Sequence, residues 1–395
     1  SGTYKFNSEA PRTMSDTEKG WLSLNTTTYA NSIVVNGTET SKTFDWDFNT
    51  NGKIFDELNT GETVKLVYTV KVIDDAPIPY FSTKTVTVTI TGTNDTPIAV
   101  IDVANTNENT PITIDVLAND TDIDSLDNSS NFTLTNVSIT TNNHSTGYDF
   151  SKVTTPATAT VVNNKLVFTP NDEFEYLALN DTATVVVTYI MSDDEGLTSS
   201  NTTTITITGT NDAPTISIGT TDKVFEEFIE NINKITTSGT LSLNDKDTLN
   251  TVSASVETVA ISGSSHIDGR TNDYFKSMLK LTSANILDNA HNDGTIIWNF
   301  DSGSDTFDYI AKDEELILTY TIKALDVNSG ATTQDVIIKI KGTNNTPVLN
   351  AISSKTYTDT NIDDTFASYS GTLVSSDVDL TDGKIYSITN QILDA

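Results

Sequence analysis

The chain has 395 residues, 54 of them acidic and 22 basic, for a net charge of −32, and it contains no cysteine. That length predicts three or four domains rather than one, and the missing cysteines remove disulfides as a source of stability. The acidity excludes nucleic acid as a partner, because phosphate binding needs a basic surface.

In chain order the predicted elements recur. Trp46 and Phe48 come first, followed by the alternating run Val64, Leu66, Tyr68, Val70, an acidic turn at Asp74-Asp75, and a second alternation at Val86, Val88 and Ile90. Thr and Lys fill most intervening positions, so each run reads as a strand with one buried and one wet face. The run ends at Gly92-Thr93-Asn94-Asp95-Thr96-Pro97. The same succession follows with Phe168, then Val185, Val187 and Tyr189, the turn Asp193-Asp194-Glu195-Gly196, Ile205 and Ile207, and Gly209-Thr210-Asn211-Asp212-Ala213-Pro214. A third has Trp298 and Phe300, then Leu316, Leu318, Tyr320 and Ile322, the turn Asp326-Val327-Asn328-Ser329-Gly330, Val336, Ile338 and Ile340, and Gly342-Thr343-Asn344-Asn345-Thr346-Pro347. Trp46 and Trp298 each precede the tyrosine by 22 residues, which predicts core packing for both.

Two stretches read differently. Phe225, Phe228, Ile229 and Ile232 follow helical spacing, which predicts an amphipathic helix over 223–235, and residues 283–290 read as a further helical turn.

The joints are 117 and 133 residues apart, the size of one β-sandwich. The fold expected is all-β, a tandem and elongated array of sandwich modules at 1–96, 97–213, 214–346 and 347–395. The last segment opens like the third: Gly371-Thr372-Leu373 before Asp377-Val378-Asp379 parallels Gly239-Thr240-Leu241 before Asp245-Lys246-Asp247. The end segments therefore read as partial modules. Either the sequence is a window on a longer array, the favoured reading, or the half-modules of identical chains complete one another in a head-to-tail filament.

Catalytic signatures are missing: there is no cysteine nucleophile, GxSxG elbow or glycine-rich phosphate loop, and no enzyme is expected. His144, His266 and His291 are scattered without ligand spacing and read as surface residues. The run from Asp120 to Asp124 is not an EF-hand, since Ser125 and Asn131 stand where glycine and glutamate are needed. Trp21, Trp46 and Trp298 could line a glycan platform, which keeps a glycan-binding module as an alternative. No apolar run approaches a membrane span, and residues 1–20 lack the pattern of a signal peptide.

The segment PIAVIDVANTNENTPITIDVLANDTDID (97–124) and the endings VTITGTNDTP and ITITGTNDAP resemble the cadherin-like and VCBS-type repeats of large bacterial surface proteins, and TDTNIDDTFASYSGTLVSSDVDLTDG (358–383) resembles the VCBS opening. The resemblance implies immunoglobulin-like, cadherin-like sandwiches in a secreted RTX-type adhesin or biofilm protein, with Ca2+ at or near the joints. It implies as ligands Asp74, Asp75, Asn94, Asp95, Glu108, Asp120 and Asp122 at the first joint. At the second they are Asp193, Asp194, Asn211, Asp212, Glu226 or Glu227, Asp245 and Asp247. At the third, Asn345 replaces the aspartate and Asp326, Asp359, Asp377 and Asp379 are possible partners, so a weaker site is expected. Calcium wants six to eight hard oxygens, which this residue set can supply. The implied role is a calcium-stiffened extender at the bacterial surface, whose partners are neighbouring modules of the same or an identical chain and a cell-surface or matrix target.

Overall fold

The structure, a computed structural model, describes residues 2–6, 12–24, 45–74, 76–143, 153–230, 234–247, 250–264 and 267–392. Asp75, His144, Ile232 and His266 lie outside the described residues. Two compact units form, the first built chiefly from residues up to Ile207 and the second chiefly from Thr208 onward.

Strands dominate both units, because the Thr/Val/Ile alternation supplies β-branched side chains to one face and hydroxyls to the other. In the first unit Thr63–Ile73 pairs antiparallel with Phe81–Thr91, and Gly2–Phe6 pairs antiparallel with the other side of Thr63–Ile73. Further on, a four-stranded sheet runs Asp102–Asn107, Thr198–Thr208, Thr182–Ser192, Thr133–Asn143, and a three-stranded sheet runs Thr158–Val162, Lys165–Thr169, Ile112–Ile114. In the second unit, a four-stranded sheet containing Asp293–Asp301 and a five-stranded sheet centred on Glu315–Asp326 enclose a core of Trp298, Phe300, Phe275, Tyr320 and Ile338. This is the two-layer immunoglobulin-like sandwich that alternating strands favour.

The repeated tyrosine has one job in all three repeats. Tyr68 donates its hydroxyl proton to the carbonyl of Glu18 at 3.1 Å, Tyr189 to Val100 at 2.7 Å, and Tyr320 to Phe275 at 2.8 Å. Each buried phenol is thereby satisfied while fixing an earlier segment against the strand.

The joint glycines are required by space. A Cβ on Gly92, Gly209 or Gly342 would stand 2.2, 2.3 and 2.2 Å from the carbonyl oxygens of Leu58, Ala178 and Ile310. The matching backbone bonds Gly92 N–H to Glu62 (2.9 Å), Gly209 N–H to Asp181 (2.8 Å) and Gly342 N–H to Glu314 (3.0 Å) bring the chain that close.

Both expected helices are corrected. Phe225–Ile229 is a strand, parallel to Ala331–Lys341. Phe225 and Ile229 face outward while Glu226 and Phe228 are half-buried, so the helical spacing joined apolar residues from opposite faces. Asn285–Leu287 is likewise a strand, pairing with Val252 and Ser253. Helix occurs instead at Asp16–Lys19 and Asn272–Lys276. No helix among the described residues is long and apolar enough to cross a membrane.

The two tryptophans matched by spacing diverge. Trp298 is fully buried, whereas Trp46 is 48% exposed, so core packing holds for the former only. The equivalence survives one step along the strand: Phe48 meets Tyr68 edge-on at 6.4 Å, and Phe300 meets Tyr320 edge-on at 6.2 Å.

Candidate metal centres at the joints

Each joint is held by the same backbone contact. The Asp95 N–H donates to Asp124 Oδ2 (2.8 Å), the Asp212 N–H to Asp247 Oδ2 (3.1 Å), and the Asn345 N–H to Asp379 Oδ2 (2.7 Å). The receiving aspartate is then fixed by its own N–H, which donates to the carboxylate two residues earlier. These bonds run from Asp124 to Asp122 (3.0 Å), Asp247 to Asp245 (3.1 Å) and Asp379 to Asp377 (3.2 Å). Such Asx turns are what a D-x-D segment forms when it leaves a strand.

A second contact brings in a hairpin from the following repeat. Asn94 Nδ2 donates to Asp193 Oδ2 at 2.9 Å, and Asn211 Nδ2 to Asp326 Oδ2 at 3.0 Å. The other oxygen of Asp193 accepts from the N–H groups of Glu195, Gly196 and Leu197, and that of Asp326 from Asn328 and Gly330. Asp193 therefore belongs to the first joint and Asp326 to the second, each one joint earlier than expected. The reason is strand length. An eleven-residue strand at about 3.3 Å per residue carries the hairpin turn to the opposite end of its sandwich. Asp74 shows the same displacement, accepting from Tyr80 N–H (3.0 Å) at its hairpin turn, away from the Asn94 group.

Other expected ligands also move. Asp122 stays at the first joint, but its partner is Asp124. Asp120 instead accepts from Val100 N–H (2.7 Å) and shares the single proton of the Tyr189 hydroxyl (3.0 Å) with the Val100 carbonyl. Glu226 pairs with Lys223, and Glu227 with Lys339 and Lys341, so neither joins the Asn211 group. Glu108 is wholly buried just after Asp102–Asn107, a strand lying beside the last strand of its repeat. Glu230 has the same place after Phe225–Ile229, which lies beside Ala331–Lys341, and accepts from the Thr343 hydroxyl (2.7 Å). The equivalence puts Glu108 at the closing end of its repeat rather than at the Asp122 end.

Sequence reasoning missed Asp124, Asp127, Glu230 and two acids that follow a phenylalanine repeated at Phe55, Phe174 and Phe307: Glu175, which pairs with Lys246, and Asp308, whose carbonyl accepts from Asn345. The constant separation of that phenylalanine from Leu58, Leu177 and Ile310 was the available signal.

The first joint is crowded with negative charge. One carboxylate oxygen from each of Asp122, Asp124 and Asp127 lies within 4.8 Å of the others. Burial, together with Asp194 and Asp122 nearby, pushes Asp127 up to about 6. Asp122 and Asp124 are raised by burial, with Asp193 adding to both. At the second joint, burial with Asp326 and Asp212 pushes Asp245 up to about 6. There Lys246, where the first joint has Ile123, pairs with Glu175 at 2.5 Å and offsets the burial that raises Asp212.

Both joints hold buried oxygens with no hydrogen-bond donor: Asn94 Oδ1, Asp122 Oδ2 and Asp124 Oδ1 at the first, Asn211 Oδ1, Asp212 Oδ2 and Asp245 Oδ2 at the second. Unpaired acceptors of this kind cost free energy unless something positive meets them. The donor set is oxygen only, which fits a hard divalent cation. The tryptophans fit a glycan platform poorly, since Trp298 and Trp21 are buried.

Residues 94–208 match the family of bacterial Ig domains. No curated protein matches the chain. Among solved structures, protocadherin gamma B7 extracellular cadherin domains 1–4 is similar at 13% identity, covering 85% of this chain and 70% of that one, with a TM-score of 0.34. Human CDH23 EC21-23 is similar at 17% identity, covering 65% and 73%, with a TM-score of 0.34. The human desmocollin-1 ectodomain is similar at 11% identity, covering 73% and 49%, with a TM-score of 0.27.

Proposed function

We propose that this chain is a calcium-stiffened repeat segment of a bacterial adhesin or surface fibre, located outside the cell and acting as a structural extender rather than an enzyme. The observation that carries the reading is the set of buried, donorless oxygens at the first two joints.

At the first joint Asn94, Asp122, Asp124, Asp127 and Asp193 would hold the ion; at the second, Asn211, Asp212, Asp245, Asp247 and Asp326. A bound Ca2+ supplies the positive charge that these acceptors lack. The protein's own part is to place them. The Asx turns at Asp124 and Asp247 aim one oxygen of each pair, and the three N–H groups on Asp193 hold its carboxylate oriented. Without a cation the crowded carboxylates repel, and the joint loosens. Binding only to the folded joint adds RT ln(1 + [Ca]/Kd), about 1.4–2.7 kcal/mol per site at roughly ten to a hundred times Kd.

The test is calorimetric unfolding of the chain after chelation and again with millimolar calcium added back. A large upward shift, reduced in Asp212→Ala, supports the reading; unchanged melting refutes it.

A further inference from the structure

The third joint repeats the backbone contacts of the other two but not their side-chain chemistry. Where they carry Asp95 and Asp212, it carries Asn345, whose Nδ2 reaches the carbonyl oxygen of Asp308 at 3.0 Å, Glu230 Oε1 at 3.4 Å and Asp379 Oδ1 at 3.4 Å. Glu230 and Asp379 are 8% and 1% exposed. Two buried carboxylates and a backbone carbonyl thus converge on a single amide nitrogen that carries two protons, while the second oxygen of Glu230, Oε2, has no donor.

We propose that Asn345 takes the place of a cation, so that the third joint is latched by an amide and stays closed when calcium is withdrawn. An aspartate at this position would add a further charge beside Glu230 and Asp379 and require a cation to balance all three. The amide contributes donors where a carboxylate contributes only acceptors, and it removes one negative charge from the group. Thr343 reinforces the latch by donating its hydroxyl to the same Glu230 oxygen. The chain then carries two joints that answer to calcium and one that does not. This deepens the calcium reading of the first two joints, but the latch itself is judged without them.

Hydrogen exchange of the full chain tests it, following backbone amides of 92–97, 209–214 and 342–347 in chelator and in millimolar calcium. In the wild-type chain, protection at 342–347 should be the same in both solutions. In Asn345→Asp, protection there should fall about tenfold or more in chelator, the equivalent of about 1.4 kcal/mol, and return with calcium. Loss of protection at 342–347 in the wild-type chain on chelation would overturn the latch, as would full protection of Asn345→Asp in chelator. If 92–97 and 209–214 ignore calcium while Asn345→Asp loses protection in chelator, the latch stands and the calcium reading of the first two joints falls.

Discussion

Asn94 and Asp193 are 99 positions apart in sequence, yet the amide of one donates to the carboxylate of the other at 2.9 Å. Asp193 is buried and already satisfied on its other oxygen by three backbone N–H groups. It is therefore a structural hub before any ion is considered.

Asp193→Ala should destabilise the first joint by about 2–3 kcal/mol, the cost of losing charged hydrogen bonds and stranding N–H groups. The loss should be present in chelator as well as in calcium. Asp124→Asn, which keeps an oxygen acceptor for the Asp95 N–H, should instead leave chelated melting nearly unchanged and diminish the shift that calcium produces. Calorimetry of both variants in both solutions separates the two roles.

Gly209→Ala should cost about 1–3 kcal/mol, because its Cβ would stand 2.3 Å from the Ala178 carbonyl oxygen, which Asp181 N–H holds in place at 2.9 Å. Gly371→Ala, with nothing within 4 Å, should change stability by less than about 0.5 kcal/mol. Denaturant unfolding of the two variants provides the comparison.

Stability should depend on pH through Asp102. Burial, with Asp120 beside it, pushes Asp102 up to about 6 in the folded chain, against about 3.9 when unfolded. The folded state therefore holds this proton more tightly, and ionisation is the costly event. The penalty is fully present above pH 6 and is relieved as pH falls from about 6 towards 4. In chelator, Asp102→Asn should raise the melting temperature at pH 7.5 and match the wild-type chain at pH 4. A variant no more stable than wild type at pH 7.5 would contradict this.

Trp298→Ala should cost about 3–5 kcal/mol, since the ring is wholly buried in the core of the second unit. Trp46→Ala should cost far less, because about half of that side chain is in water. Thermal unfolding of the two variants tests the divergence of two residues that spacing alone makes equivalent.

The sandwich class was legible because alternation is a property of single strands. Val185, Val187 and Tyr189 are all buried, as period two requires. Which acids meet was not legible, because that depends on where a strand delivers its turn. The run from Asp120 to Asp124 contains two overlapping D-x-D frames, and composition cannot choose between them; the strand bridge between Ile98 and Thr121 does. Asp193 was assigned to the wrong joint for lack of strand direction. Phe225–Ile229 failed differently: parallel pairing with Ala331–Lys341 outweighed a coincidence of four apolar residues at helical spacing.

The three glycines that admit a neighbouring carbonyl, and the N–H that always seeks the second aspartate of D-x-D, make every joint accept the same kind of successor. Whole repeats can then be duplicated or lost without inventing a new contact. Each junction nonetheless keeps its own setting through single substitutions such as Lys246 and Asn345.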